Sequence, residues 1–264
     1  EGEKDEAPML YNGEHLGTGN PPLVDIAVDP IDGTTVLSLG RSGALAVVSL
    51  SERGTMYDPH CIMYMNKIAV GPEAAGTIDI DAPVDVNLRS VARAKRRDVD
   101  DLTVIILDRP RHHELIQEVR SVGARIRLIS DGDIAGALMT AIADTGIDVL
   151  MGIGGSPEAV VSACALKCVG GDMQCKLWPR NDDERDGALE AGMDLDTILG
   201  IDDLVQGNNV FFSATGITDG QLLEGVRYFG GGAKTHTLVM RSLSGTVRFI
   251  EGTNRWDKLM RYSQ

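Results

Sequence analysis

Two aspartates, Asp29 and Asp32, bracket Pro30 in the stretch VDPIDGTT, and Gly33, Thr34 and Thr35 follow at once. Carboxylates three residues apart across a turn offer the hard oxygen donors that Mg²⁺ and Mn²⁺ prefer. A threonine hydroxyl beside them can orient a water and help to deprotonate it. Paired ions of this kind clamp both the attacking and the leaving oxygen of a phosphoryl displacement. The bland alternative is an Asx turn, which uses Asp-Pro and Asp-Gly freely. That alternative leaves the segment EGEKDEAP unexplained, with Glu1, Glu3, Asp5 and Glu6 inside six residues.

Three further segments carry side chains suited to a ligand. The first is Asp108-Arg109-Pro110-Arg111, where a proline between two arginines would make a stiff fork for phosphate. The second is Ser130-Asp131-Gly132-Asp133, whose acids could start a helix or accept hydrogen bonds from sugar hydroxyls. The third is Gly152-Ile153-Gly154-Gly155-Ser156-Pro157-Glu158. There Ser156 suits a helix N-cap, Pro157 the first helical position and Glu158 the first turn, where an acid also complements the helix dipole. The glycines allow a ligand to approach the backbone closely. His112 and His113 begin a helix and take no part in this chemistry.

These residues need a frame. LVDIAV reads as a strand ending at Pro30, which cannot donate a ladder hydrogen bond. ALAVVSL (Ala44 to Leu50) and MNKIAVG around Lys67 read as its companions in an antiparallel or mixed sheet, with Arg53 and Gly54 turning between them. The middle then alternates: strand TVIIL, helix HHELIQEVRSVG, strand RIRLI, helix DIAGALMTAIAD, strand IDVLMGI, helix PEAVVSACALKCVGG. This βαβαβα rhythm predicts parallel strands with right-handed crossovers. Ligands bind beyond the carboxyl ends of such strands, and the three polar segments sit at those ends. NDDERDGALEAGMDLDTILGIDDLV reads as polar helices and a surface connection. The tail returns to strands at NVFFSATG, HTLVMRS and TVRFIEG. Residues 1–100 are expected to form a metal-site sheet half and residues 101–264 an α/β half carrying the substrate rim.

Composition narrows the function. A net charge of -14 and 4% aromatic residues speak against nucleic acid, since there is no basic patch to release counterions and little surface for base stacking. No apolar run nears the ~20 residues of a membrane span, and no signal-peptide pattern opens the chain. Cys61, Cys164, Cys168 and Cys175 lack the CxxC spacing of a metal knot, so buried thiols in a reducing, cytoplasmic compartment fit best. The first residue is Glu1 rather than methionine, which suggests that an N-terminal piece precedes it.

The acidic EGE segment followed by VDPIDGTT resembles the lithium-sensitive, metal-dependent sugar-phosphatase superfamily, which includes inositol monophosphatases and fructose bisphosphatases. More narrowly, EGEKDEAPMLYNGEHLGTG, MYMNKIAVGP, LDRPRH, SDGDIAGA, GIGGSPEAVVSACALKCVGGDMQ and VFFSATGITDGQLLEGVRY are similar to class II fructose-1,6-bisphosphatases of the GlpX type, over nearly the whole chain. The resemblance implies an α/β class fold, a layered α-β-α-β-α sandwich with a mixed N-terminal sheet and a parallel βαβαβα half, forming dimers or tetramers. It implies Glu1 as a ligand of one metal, and Asp29, Asp32 and Glu158 as ligands around a second. Asp5 would help to activate water and Thr34 would polarise it. Asp32, Gly33, Thr34, Tyr64, Arg109, Pro110, Arg111, Asp131, Gly132, Asp133 and Gly155 would contact substrate.

Three departures stand out. The family places a further metal-binding aspartate well upstream of EGE, where this chain has no residue. Asp32 stands where many relatives have Glu, and Arg109 where some have Lys. The implied activity is Mg²⁺- or Mn²⁺-dependent hydrolysis of the 1-phosphate of fructose 1,6-bisphosphate, by default in gluconeogenesis. Sedoheptulose 1,7-bisphosphate is the alternative substrate. An inositol-monophosphatase-like activity fits the arginine fork poorly, and a non-catalytic sugar-phosphate-binding protein is the reading from another class.

Overall fold

The computed structural model describes residue 10, residues 13–59 and residues 62–259. Two sheets organise the described residues. The first joins β1 (Val24–Asp32) to β2 (Leu45–Glu52), then runs through β9 (Phe211–Gly216) to β11 (Gly232–Arg241), with β10 (Arg227–Phe229) and β12 (Thr246–Arg255) both paired to β11. Every pairing in it is antiparallel. The second has the order β5 (Arg125–Ile129), β4 (Thr103–Leu107), β6 (Val149–Gly155), β3 (Tyr64–Val70), β7 (Asp172–Leu177), β8 (Leu199–Gly200). Its β5–β4–β6 portion is parallel, as the alternating pattern predicts, and β3, β7 and β8 extend it antiparallel.

Side-chain alternation along the second sheet divides the interior in two. Val104 and Ile106 of β4, with Ile68 and Val70 of β3, pack under α2 (Val84–Lys95) and α3 (His113–Val122). Ile105, Met65 and Ala69 face the other way. They meet α4 (Asp133–Met139) and α5 (Ser156–Val169), whose far sides touch Leu45, Val47, Phe212 and Leu238 of the first sheet. Helix and sheet layers therefore alternate, with α4 and α5 held between the sheets. The central strands of the second sheet have apolar residues on both faces because each face has a helix layer to meet. The apolar residues of α5 run all round it, as befits a helix enclosed on both sides.

Several local expectations change. MNKIAVG forms the fourth strand of the second sheet rather than a partner of β2. A strand's period sets which faces it buries but not which neighbour it pairs with. β1 does not stop at Pro30. Its register with β2 slips between Asp29 and Asp32, so Pro30 sits in a bulge where no ladder N–H is needed. The helix begun by DIAGALM ends at Met139 instead of running to Asp144, and the Thr140 hydroxyl donates back to Ala137 O at 2.7 Å. The strand DMQCKL (β7) and helix α2 are found where the sequence reading placed no element.

Cys164, Cys168 and Cys175 are buried free thiols, as expected, and burial pushes each up to about 12. Cys61 lies outside the described residues. Among the described residues no helix is long and apolar enough to cross a membrane.

Candidate functional site

The rim expected from the sequence forms at the carboxyl ends of β4, β5 and β6, and the VDPIDGTT turn closes over it from the first sheet. Two crossed hydrogen bonds join them: Ala135 N–H donates to Asp32 Oδ2 at 3.3 Å, and Thr35 N–H donates to Asp131 Oδ2 at 2.9 Å. Both turns enter a helix through a left-handed glycine, Gly33 at φ 92° before α1 (Thr34–Ser38) and Gly132 at φ 84° before α4. At Gly33 a side chain is excluded twice over, since a Cβ there would also lie 2.9 Å from Val36.

Asp32 is 3% exposed. Burial raises its carboxyl well above the usual range, and the nearby charges of Asp133, Asp29 and Glu158 push the same way. A buried carboxyl with three acidic neighbours is a place where added positive charge is stabilising, and its donors are the hard oxygens that divalent magnesium or manganese takes. Among the described residues, however, no three such side chains already stand close enough to hold an ion. Asp29 does act as the Asx residue of its turn, accepting from Ile31 N–H at 3.0 Å. Glu1 and Asp5, the other acids assigned to metal and water, lie outside the described residues.

The glycines of β6 leave spaces for three side chains. A Cβ on Gly152 would sit 3.0 Å from His112 Nε2, one on Gly154 would sit 1.9 Å from Asp133 Oδ2, and one on Gly155 would sit 1.8 Å from Glu158 Oε2. The strand's bare backbone thus lets an imidazole and two carboxylates lie flat against it. Ser156 is not the cap the sequence suggested. The cap position falls to Gly155, and Ser156 donates its backbone N–H to Met63 O at 3.0 Å.

The arginine fork opens rather than closing on one point. Arg109 leans toward Asp131, with Nη2 3.9 Å from Oδ1, and bonds Asp108 O. Arg111 reaches the other way, donating to Ile153 O at 2.8 Å and lying 5.0 Å from the centroid of the Tyr64 ring. Pro110 opens the short helical turn between them. Tyr64 is brought to the rim because it pairs with Gly155 at the last register position of β3 against β6.

Two residues that sequence reasoning passed over hold this rim in place. Lys67 Nζ lies 2.7 Å from Asp133 Oδ2, and both side chains are buried. His112 accepts from Ile153 N–H at Nε2, 2.7 Å away, so its Nδ1 carries the proton and donates to Leu107 O, also at 2.7 Å. Burial and the neighbouring arginines hold its pKa below the ordinary value, which keeps that neutral tautomer. The signal for Lys67 was a charged residue inside an otherwise apolar strand, with the acid of SDGD free to meet it. For His112 nothing in the spacing pointed to a strut between two strand ends.

A family model described as bacterial fructose-1,6-bisphosphatase, glpX-encoded, matches residues 1–254. A protein of Synechococcus sp. (strain JA-2-3B'a(2-13)), named D-fructose 1,6-bisphosphatase class 2/sedoheptulose 1,7-bisphosphatase, is 44% identical over 276 aligned residues, covering 95% of this chain and 79% of its own length. Fructose-1,6-bisphosphatase 1 class 2 of Escherichia coli (strain K12) is 44% identical over 271 aligned residues, covering 98% of this chain and 80% of that protein. The chain belongs to the GlpX-type family of bacterial fructose-1,6-bisphosphatases.

Proposed function

We propose a residue-level account of the activity that this membership assigns: the chain is a fructose-1,6-bisphosphatase, a phosphoric monoester hydrolase that releases the 1-phosphate of fructose 1,6-bisphosphate and leaves fructose 6-phosphate. The observation that carries the account is the closure of the Asp32–Thr34 turn over the parallel-strand rim through Ala135 and Thr35. It joins the acidic cluster to the arginines Arg109 and Arg111 in one rim, as a substrate with two phosphates requires.

The family is metal-dependent, and Mg²⁺ or Mn²⁺ at Asp29, Asp32 and Glu158, with Glu1 from the upstream segment, fits the donor set. Such ions, when bound, supply Lewis-acid stabilisation and lower the pKa of water. The chain's own groups then do the positioning. The Thr34 hydroxyl, presented at the first residue of α1, orients the attacking water, and Asp5 accepts its proton. Gly33 and Gly132 let the backbone come close to the scissile phosphate, while Asp131 ties the turn to the rim. Arg111, held by Pro110 and with Tyr64 against it, takes the second phosphate, and Arg109, on the Asp131 side of the rim, adds positive charge toward the substrate. Gly155 keeps space for Glu158. Asp133, already bound to Lys67, turns its remaining lone pairs to the sugar hydroxyls.

The enzyme works in the cytoplasm as a homo-oligomer on a free sugar bisphosphate, with neither nucleic acid nor membrane as partner. Sedoheptulose 1,7-bisphosphate is a second substrate to test, in line with the name of the Synechococcus relative.

The test is phosphate release from fructose 1,6-bisphosphate with and without Mg²⁺ or Mn²⁺. One phosphate per sugar, only with metal, is expected, and no release from a folded protein would overturn the reading. Thr34→Ala should lower kcat about a hundredfold with KM nearly unchanged. A variant that loses affinity but keeps kcat would remove Thr34 from the chemistry.

A further inference from the structure

Two guanidinium groups lie against Tyr64, and one of them belongs to a segment outside the three polar strand ends. Arg111 Cζ is 5.0 Å from the ring centroid and Arg180 Cζ is 5.8 Å from it. Arg180 is carried there by the chain leaving β7. Trp178 N–H donates to Tyr64 O at 2.9 Å, and the Trp178 ring meets Tyr64 edge-on at 6.2 Å. Three aromatic and backbone contacts therefore dock the 178–180 segment onto the first residue of β3, next to Gly155.

The guanidinium of Arg180 is held at its base. Its Nε donates to Glu184 Oε1 at 2.6 Å, Nη2 pairs with the same oxygen, and the Arg180 backbone N–H donates to Glu184 Oε2 at 2.8 Å. Glu184 lies in the first turn of α6 (Asp182–Glu190), whose Asn181 cap accepts from Glu184 N–H. The carboxylate is 10% exposed while the arginine side chain is 49% exposed. Glu184 thus anchors one edge of the guanidinium and leaves Nη1 without a hydrogen bond among the described residues. An ion pair made only for stability would gain little at this exposure. A cation kept at a ring already shared with Arg111 is better suited to a doubly charged anion.

We propose that Arg180 is a specificity-determining residue, joining Arg111 across Tyr64 to grip the phosphate that is not hydrolysed. This rests on the fructose-1,6-bisphosphatase reading above. It assigns Glu184 the task of holding Arg180 at the rim before substrate arrives. Neighbouring acids and Tyr64 alone would not discriminate a second phosphate from a sugar hydroxyl, whereas two guanidinium groups charge that difference directly.

The experiment compares kcat/KM for fructose 1,6-bisphosphate and for fructose 1-phosphate, which lacks the distal phosphate. Arg180→Gln should lower the ratio of the two about tenfold, through KM for the bisphosphate, and Arg180→Lys should restore part of it. An unchanged ratio in a folded variant overturns the proposal. So does an equal loss on both substrates, which would make Arg180 only a support for α6. A wild-type chain that hydrolyses neither substrate overturns the functional reading itself, an outcome distinct from a normal wild type with an insensitive Arg180 variant.

Discussion

Lys67 and Asp133 are 2% and 9% exposed as side chains, yet both are charged, 2.7 Å apart, beneath a rim that already gathers Asp29, Asp32 and Glu158. Lys67 is the cation the described residues place inside that acidic ground, so its removal leaves Asp133 buried and uncompensated. Lys67→Met should destabilise the fold by about 3–5 kcal/mol, read from the urea midpoint, because breaking a buried pair costs more than the pair contributes. Lys67→Met with Asp133→Asn should recover much of that loss. A single variant as stable as wild type would mean that the pair is screened and that Asp133 is held by something else. This residue also marks where sequence reading reached its limit. Asp133 was legible as a helix-start acid facing substrate, but its partner sits 66 positions earlier in the chain. The pairing follows from β3 lying beside β6, which no local pattern contains. Asp32 was legible for the opposite reason, since its turn chemistry is local.

The elements show the same division between local and distant information. The βαβαβα stretch was readable because each helix and strand carries its own period, caps and stop signals, and the three strand ends converge by topology alone. The partners of β3 and the insertion of β7 were not readable, because their short apolar stretches fit either sheet equally well. Ser156 misled for a related reason: it has the right type for a cap, but β6 runs on to Gly155 and helix α5 begins immediately, leaving the cap to a glycine. The strand–helix junction makes its own prediction. A Cβ at Gly155 would fall 1.8 Å from Glu158 Oε2 and 2.3 Å from its Cδ, so Gly155→Ala must swing that carboxylate away from the strand. The Mg²⁺ or Mn²⁺ concentration giving half-maximal activity should rise about tenfold or more, by analogy with losses caused by disturbing a ligand's support. Half-saturation at the wild-type concentration would mean that Glu158 is not among the ligands. Gly230→Ala, at a turn where a Cβ meets nothing within 4 Å, is the matched control for a glycine lost away from the rim.

At the scale of the whole molecule, the helix layer does not reach the edge of the first sheet. α5 packs against β1, β2, β9 and β11, and Leu238 and Met240 of β11 are buried beneath it. Their register partners on β12, Phe249 and Val247, point the same way but are 49% and 40% exposed. They line an open depression with Lys167 and Cys168 where the helix layer ends. Among the described residues β12 is also a ten-residue edge strand paired with β11 alone, a long edge of the sort that solitary domains usually shield. The assembly into dimers or tetramers that the resemblance implies would cover that overhang, its apolar burial working against the mutual repulsion of copies of net charge -14. Phe249→Asp, which adds a charge to the overhang beside His236 and leaves Leu238 and Met240 in place, should therefore shift the chain toward monomer in sedimentation at micromolar concentration. Far-UV circular dichroism should match wild type. Lowering salt should strengthen the shift by lengthening the range of repulsion between copies. A wild-type chain that sediments as a monomer, or a Phe249→Asp variant that assembles as before, would place any interface elsewhere and leave the overhang as exposed apolar surface in the isolated chain.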